Sequence, residues 1–182
     1  MKAVLYTDAS IKGGRGAWAA LVLVPDADPI EYSGRLRGSF VSSAATEICA
    51  IANGLHSAGE AGLLAHGGEV EVWCDNEAAV FWANGQVQPK RKSDPVLVKA
   101  RRFIRDYCKG RRITFRAYHV KGHQRLDSRD PGAIYNNRCD ELCSAQRDNV
   151  EPPPFSHLVE RVANAQRLRA AREARKVAEE EA

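Results

Sequence analysis

The sequence predicts an α/β fold, a mixed five-stranded sheet with helices on its faces and a C-terminal helical extension. Three apolar segments joined by short turns come first, and such connections favour an antiparallel meander. Two more strand patterns follow, separated by segments with helical periodicity. Strands that alternate with helices pair in parallel through crossovers, so the last two strands are expected to be parallel.

Each element rests on a local pattern of apolar and turn residues. Apolar runs or strict alternation predict strands at 2–8, 16–24, 30–36, 69–74 and 112–119. Helices are predicted at 43–58, 76–83, 94–109 and 136–147. The first helix is the clearest, because Ala44, Ile48 and Ile51 recur at the spacing of one buried face. Residues 86–93 form an exposed basic loop between two helices.

The chain divides into a domain and an extension. A length of 182 residues suits one domain of about 150 residues plus a tail. Residues 1–150 are assigned to the domain, and 151–182 to a proline-rich linker and a charged helix over 155–181. This helix is expected to dock only by its first turns, near Phe155 and Leu158, and its removal is expected to leave activity largely intact.

Several classes of protein are excluded by composition. No apolar run approaches the ~18 residues of a membrane span, and the N-terminus reaches a charge at Asp8 without a signal-peptide core. We therefore expect a cytoplasmic monomer with no membrane partner. The cysteines lack the paired spacing of a zinc site and are expected to be buried thiols. They are Cys49, Cys74, Cys108, Cys139 and Cys143.

Positive charge is concentrated in one segment. Residues 90–116 contain eleven basic and two acidic side chains, whereas the rest of the first 150 residues has ten basic and fifteen acidic ones. A solvated helix face usually interleaves glutamate with its lysine and arginine, and this segment contains none. The imbalance favours a polyanionic partner bound along one face of the protein.

Four acidic residues are candidates for a metal site. Asp8 and Asp75 each end an apolar strand, Glu47 lies in the first turns of a helix beside its buried face, and Asp140 lies one turn into the last core helix. Each acid alone fits a helix cap or half of an ion pair equally well. Together, carboxylates brought to one sheet edge would repel one another unless a divalent cation lay between them. Oxygen ligands of this kind suit Mg²⁺ or Mn²⁺.

These residues resemble those of type 1 ribonuclease H over about residues 2–148. Besides Glu47 in the first helix, the matching stretches are Tyr6-Thr7-Asp8-Ala9-Ser10, Gly16-Ala17-Trp18-Ala19-Ala20, Asp75-Asn76, Val120-Lys121-Gly122-His123 and Asn136-Asn137-Arg138-Cys139-Asp140-Glu141-Leu142. The resemblance implies a ribonuclease H-like fold and an endonuclease that hydrolyses the RNA strand of an RNA–DNA hybrid by a two-metal mechanism.

The resemblance also implies roles for individual residues. Asp8, Glu47, Asp75 and Asp140 would hold two Mg²⁺ ions, for which Mn²⁺ can substitute. His123 would assist proton transfer or product release, a task that suits a group titrating near neutral pH. Substrate contacts are expected from Ser10, Ser43, Asn76, Lys90, Arg91, Lys92, Lys121 and Asn136.

Some positions depart from the family pattern, and all of them concern substrate recognition. Ala9 stands where glycine is common, 42–46 replaces a stretch that contacts 2′-hydroxyls, Glu77 replaces a common glutamine, and the loop 124–135 is longer than usual. Two alternatives to hybrid cleavage therefore stay open. One is a module that binds hybrid or duplex without cutting it. The other is the same metal chemistry acting on another duplex.

Overall fold

The computed structural model describes residues 1–38, 40, 42–122, 124–128, 130 and 132–180, with the backbone alone for 176–180. The strands are β1 (Lys2–Lys12), β2 (Arg15–Leu23), β3 (Ile30–Leu36), β4 (Glu69–Cys74) and β5 (Thr114–His119). The helices are α1 (Ser43–Glu60), α2 (Glu77–Ala83), α3 (Pro95–Gly110), α4 (Ala133–Asp148) and α5 (Phe155–Glu180).

The five strands form one mixed sheet in the order β3-β2-β1-β4-β5. Strands β1, β2 and β3 pair antiparallel, whereas β4 pairs in parallel with both β1 and β5. The predicted fold class is therefore confirmed, including the division into an antiparallel and a parallel part. The antiparallel start follows from two short connections, and the parallel part follows from the helices inserted before β4 and β5.

Helices cover the two faces of the sheet unequally. On one face α1, α2 and α3 bury the larger core, which includes the fully buried Leu5, Ile48, Ile51 and Leu55. Burying side chains of this size contributes about 1.5–3 kcal/mol each. Helix α1 lies close to the sheet at Gly54, where an added Cβ would lie only 2.9 Å from the Cβ of Ala20. On the other face α4 packs against β1 and β2 over a smaller core.

Two strand boundaries differ from the prediction for local reasons. Strand β1 continues to Lys12 instead of ending at residue 8, because β2 pairs with it as far as Arg15. The turn between them uses Gly13 and Gly14, both with positive φ, which a tight hairpin of this twist requires. Strand β5 begins at Thr114 and not at 112, because residue 113 still donates to the C-terminal turn of α3.

Helix α5 corrects one expectation about the extension. Its first turn does dock, since Leu158 is 1% exposed. However, Arg169 Nη1, about three turns beyond Leu158, donates to the backbone O of Asp127 at 2.9 Å. The helix therefore contacts the β5–α4 connection as well as α4. In the described part of the chain, no helix has the length and apolar character required to cross a bilayer.

The cysteine thiols are free, as the sequence predicted. Cys74 and Cys108 belong to the core under α1–α3, and Cys139 and Cys143 belong to the core under α4, whereas Cys49 is half-buried. Burial raises the pKa of Cys49 and of Cys108 to about 11 and raises the pKa of Cys74, Cys139 and Cys143 well above the ordinary value of a thiol.

Candidate active site

Parallel pairing of β1 with β4 brings two of the predicted acids to one edge of the sheet. Thr7 of β1 is in register with Cys74, the last residue of β4, so Asp8 within β1 and Asp75 just after β4 lie side by side. The charge of Asp75 accordingly raises the pKa of Asp8. Asp8 is buried and Asp75 is half-buried. Asp75 follows the end of β4, as predicted, whereas Asp8 lies within β1, which continues to Lys12.

Glu47 reaches the same edge from α1. The Ser42 side chain caps this helix by accepting from the backbone N–H of Ala45 at 3.2 Å, which places Glu47 in the second turn. Its carboxylate is only 5% exposed and accepts a hydrogen bond from Cys74 Sγ at 3.7 Å. One potential ligand atom from each of Glu47, Cys74 and Asp75 lies within 4.8 Å of the others. Sequence patterns did not indicate Cys74 as a potential ligand. The only signal for it was its position at the end of β4.

Helix α4 contributes the fourth acid, Asp140. Two thiols of this helix fix it over β1: Cys139 Sγ donates to the backbone O of Tyr6 at 3.2 Å, and Cys143 Sγ donates to that of Asp8 at 3.1 Å. Asp140 lies between these anchors and is half-buried. Its charge is a further cause of the raised pKa of Asp8. The four predicted acids thus come from three secondary-structure layers and meet at one edge.

The electrostatics of this cluster fit a divalent cation. Desolvation, followed by the charges of Asp75 and Asp140, raises the pKa of Asp8 to about 7. Desolvation, followed by the charges of Asp8 and Asp75, raises the pKa of Glu47 well above its ordinary value. The backbone N–H of Ala9 donates to both carboxylates and opposes these shifts in part. Buried oxygen donors that repel one another in this way match the ligand set of Mg²⁺ or Mn²⁺.

The connection after β5 lies against the acid cluster. Gly122 is so close to Asp75 that an added Cβ would lie 2.3 Å from Asp75 Oδ2. His119 Nε2 lies 3.2 Å from the backbone O of Asp75 and donates to it in the Nε2-protonated tautomer. His123, the predicted proton-transfer residue, lies outside the described residues.

The predicted substrate-binding residues fall in several environments. Ser43 is exposed and its Oγ accepts from Asn76 Nδ2 at 3.2 Å, while Asn76 Oδ1 caps α2. Ser10 Oγ accepts from Arg147 Nη1 at 2.5 Å. Asn136 is 3% exposed, and its Oδ1 has no hydrogen-bond partner within the described ranges. Lys121 is exposed. These contacts leave the predicted roles as predictions.

The basic segment has a more defined layout than the sequence indicated. The exposed residues Lys90, Arg91 and Lys92 lie just before α3, whose N-cap residue Asp94 is close enough to α1 for its charge to add to the burial that raises the pKa of Cys49. Arg101 instead donates to the backbone O of Val87 and Gly85, so it holds this loop in place. Further exposed cations continue the stripe along and beyond α3, at Lys99, Arg102, Arg105, Lys109, Arg112 and Arg116.

Comparison with known proteins identifies the fold. No protein-family model and no curated protein matches the chain. Solved structures do match. Ribonuclease H1 from the halophilic archaeon Halobacterium salinarum is 19% identical with a TM-score of 0.63, the match covering 82% of this chain and 100% of that one.

Two other structures agree with this result. LC11-RNase H1, isolated from compost and solved with an RNA/DNA hybrid, is 21% identical with a TM-score of 0.62 over 81% of this chain and 97% of that one. The N-terminal RNase H domain of a Mycobacterium tuberculosis protein is 21% identical with a TM-score of 0.57 over 81% of this chain and 94% of that one. The predicted type 1 ribonuclease H-like fold is therefore confirmed.

Proposed function

We propose that this protein is a metal-dependent endonuclease that hydrolyses the RNA strand of RNA–DNA hybrids. The observation that carries the proposal is the convergence of Asp8, Glu47, Asp75 and Asp140 at one sheet edge, with two of them buried. The similar structures include a ribonuclease H1 solved with an RNA/DNA hybrid, which supports this substrate class.

The acid cluster would hold two Mg²⁺ ions. When bound, such ions activate a water molecule and stabilise the leaving oxygen of a phosphodiester. The residues of the chain hold the ligands in place: Cys74 Sγ donates to Glu47, and Cys143 Sγ ties α4 to the backbone of Asp8. His123 is proposed to move a proton near the leaving group or to assist product release.

The basic stripe would bind the phosphates of the duplex beside the acid cluster. Lys90, Arg91 and Lys92 are exposed, and contacts to phosphate supply affinity that does not depend on base sequence. A protein that selects RNA within a duplex does so through the 2′-hydroxyls and the A-like shape. Ser43 and Asn76, which contact one another near the cluster, are the proposed donors and acceptors for the 2′-hydroxyls.

The decisive experiment compares four duplexes in one cleavage assay with Mg²⁺: RNA–DNA, DNA–DNA, RNA–RNA and a hybrid with a few ribonucleotides. We expect cleavage of the RNA strand in the hybrid and loss of at least about a thousandfold in Asp8→Asn and Asp75→Asn, which is ~4 kcal/mol of barrier. Asp28→Asn, an exposed acid in the β2–β3 turn, is the matched control. Equal activity of the cluster variants and the unaltered protein would refute the proposal.

The same assay tests the alternative in which the metal chemistry acts on another duplex. Ser42 Oγ already caps α1 and Thr46 Oγ1 donates to the backbone O of Ser43, so two hydroxyls of the stretch that departs from the family pattern are engaged within the helix. Faster cleavage of DNA–DNA or RNA–RNA than of the hybrid would favour this alternative. Binding without cleavage of any duplex, together with no calorimetric Mg²⁺ or Mn²⁺ binding, would favour a non-cleaving module.

A further inference from the structure

The described residues of the connection between β5 and α4 (120–122, 124–128, 130 and 132) are linked by hydrogen bonds, and the first of them lie against the acid cluster. Within it, Gln124 Nε2 donates to Asp130 Oδ2 at 2.7 Å, and Ser128 Oγ donates to Gln124 Oε1 at 2.7 Å. Asn137 Nδ2 of α4 donates to the backbone O of Gln124 at 3.2 Å. Gly122, two residues before Gln124, lies against the Asp75 carboxylate. A displacement of this connection would therefore change the packing around the Asp75 carboxylate.

Helix α5 holds the outer side of the same connection. Arg169 Nη1 donates to the backbone O of Asp127 at 2.9 Å, and Arg169 is also paired with Glu173 one turn later at 2.9 Å. Leu126 of the connection and Leu168 of α5 line a common cavity of about 360 Å³. The contact thus combines a charged donor with apolar neighbours.

The first half of α5 is fixed to the domain, so the position of Arg169 further along the helix is also fixed relative to the domain. Leu158 is 1% exposed, and Arg161 Nη1 donates to Glu141 Oε1 of α4 at 2.8 Å. A helix rises ~1.5 Å per residue, so Arg169 lies about 16 Å beyond Leu158 along the axis. Helix α5 therefore contacts two elements. Near its start it contacts α4, the helix that carries Asp140, and at Arg169 it contacts the connection that reaches Asp75.

We propose that Arg169 is a positioning residue for hydrolysis: by holding the Asp127 carbonyl it keeps the β5–α4 connection seated against Asp75. The extension then contributes to turnover through the contacts that α5 makes with α4 and with the connection, at a distance from the acid cluster itself. This inference rests on the proposed nuclease function for its kinetic readout. Its structural part, ordering of the connection by Arg169, does not depend on that function.

The test uses full-length Arg169→Ala and Arg169→Lys. Arg167→Ala is the matched control, because it removes an exposed arginine from the same helix. Hydrogen exchange is followed at 124–128, where the amide of Ser128 donates to Arg125 O at 2.9 Å. Initial rates of hybrid cleavage give kcat and KM separately.

We expect Arg169→Ala to exchange faster at 124–128 and to lose about fivefold in kcat, ~1 kcal/mol of barrier, with KM within about twofold. Arg169→Lys keeps a donor and is expected to recover most of both effects, and Arg167→Ala is expected to match the unaltered protein. Exchange and kcat in Arg169→Ala equal to the control would overturn the inference, as would a fall in kcat without faster exchange. If the unaltered protein does not cleave hybrid, the proposed function fails, and the exchange measurement still decides whether Arg169 orders the connection.

Discussion

Replacing Asp8 by asparagine is expected to stabilise the metal-free protein at alkaline pH while abolishing cleavage. Asp8 is 8% exposed, and burial with the charges of Asp75 and Asp140 raises its pKa from 3.8 to about 7. The protonated form is therefore the one that the fold prefers. Its contribution to stability is complete below about pH 4 and is lost as the pH rises through about 7.

The size of the effect follows from the pKa. Each pKa unit corresponds to ~1.36 kcal/mol, so the change at Asp8 corresponds to about 4 kcal/mol over the whole range, of which about 2–3 kcal/mol falls between about pH 5 and pH 8. Asparagine cannot ionise and lacks this pH dependence. The free energy of unfolding of Asp8→Asn minus that of the unaltered protein is expected to grow by that amount across the interval.

Urea unfolding in EDTA at a series of pH values measures this difference, with Asp28→Asn as the control for loss of an exposed acid. Adding Mg²⁺ at about pH 8 is expected to stabilise the unaltered protein and not Asp8→Asn, because a ligand that binds the native state shifts unfolding. Parallel stability curves for Asp8→Asn and the unaltered protein from pH 5 to pH 8 would refute the electrostatic account of the cluster.

Three further substitutions, Gly54→Ala, Gly122→Ala and Arg138→Ala, test packing and geometry, and Gly110→Ala is the control for the first. Gly54→Ala is expected to cost about 1–3 kcal/mol in urea unfolding because its Cβ would meet the sheet, whereas Gly110→Ala, with open space around it, is expected to cost nothing measurable. Gly122→Ala is expected to lower kcat at least about tenfold with little change in thermal midpoint, because the Cβ would displace Asp75; unchanged kcat would contradict the close approach. Arg138→Ala is expected to cost about 3 kcal/mol, because its 2% exposed guanidinium bridges two carboxylates, and a loss below about 1 kcal/mol would contradict that role.

The sequence predicted the mixed sheet, with its antiparallel and parallel parts, because its signals were local. Alternation in β4 and apolar runs in β1 and β2 set the strands, and the lengths of the connections set their directions. Asp8 and Asp75 were singled out because each follows an apolar run, and it is the parallel pairing of β1 with β4 that brings them together. Helical period and the family resemblance together singled out Glu47 and Asp140, and their roles as metal ligands stay predictions.

Contacts made by long side chains across the fold could not be predicted. The bond from Cys74 to Glu47 depends on how α1 crosses the sheet, and no pattern in the sequence encodes that angle. Arg169 lies in a run of alanine, arginine and glutamate that resembles any solvated helix, and only the fold brings it to Asp127. Arg101 counted toward the basic stripe, yet its guanidinium is used to hold the 85–87 backbone.

The distribution of thiols has a practical consequence for following how the protein opens. Cys74 and Cys108 lie under α1–α3, and Cys139 and Cys143 lie under α4. Because the thiolate is the reactive form, burial and the raised pKa of each thiol make alkylation of the native state slow. Each labelling event therefore reports the opening of one face of the sheet. Mass spectrometry of the labelled peptides would time the separation of α4 from β1 independently of the melting of the larger core, with no engineered probe.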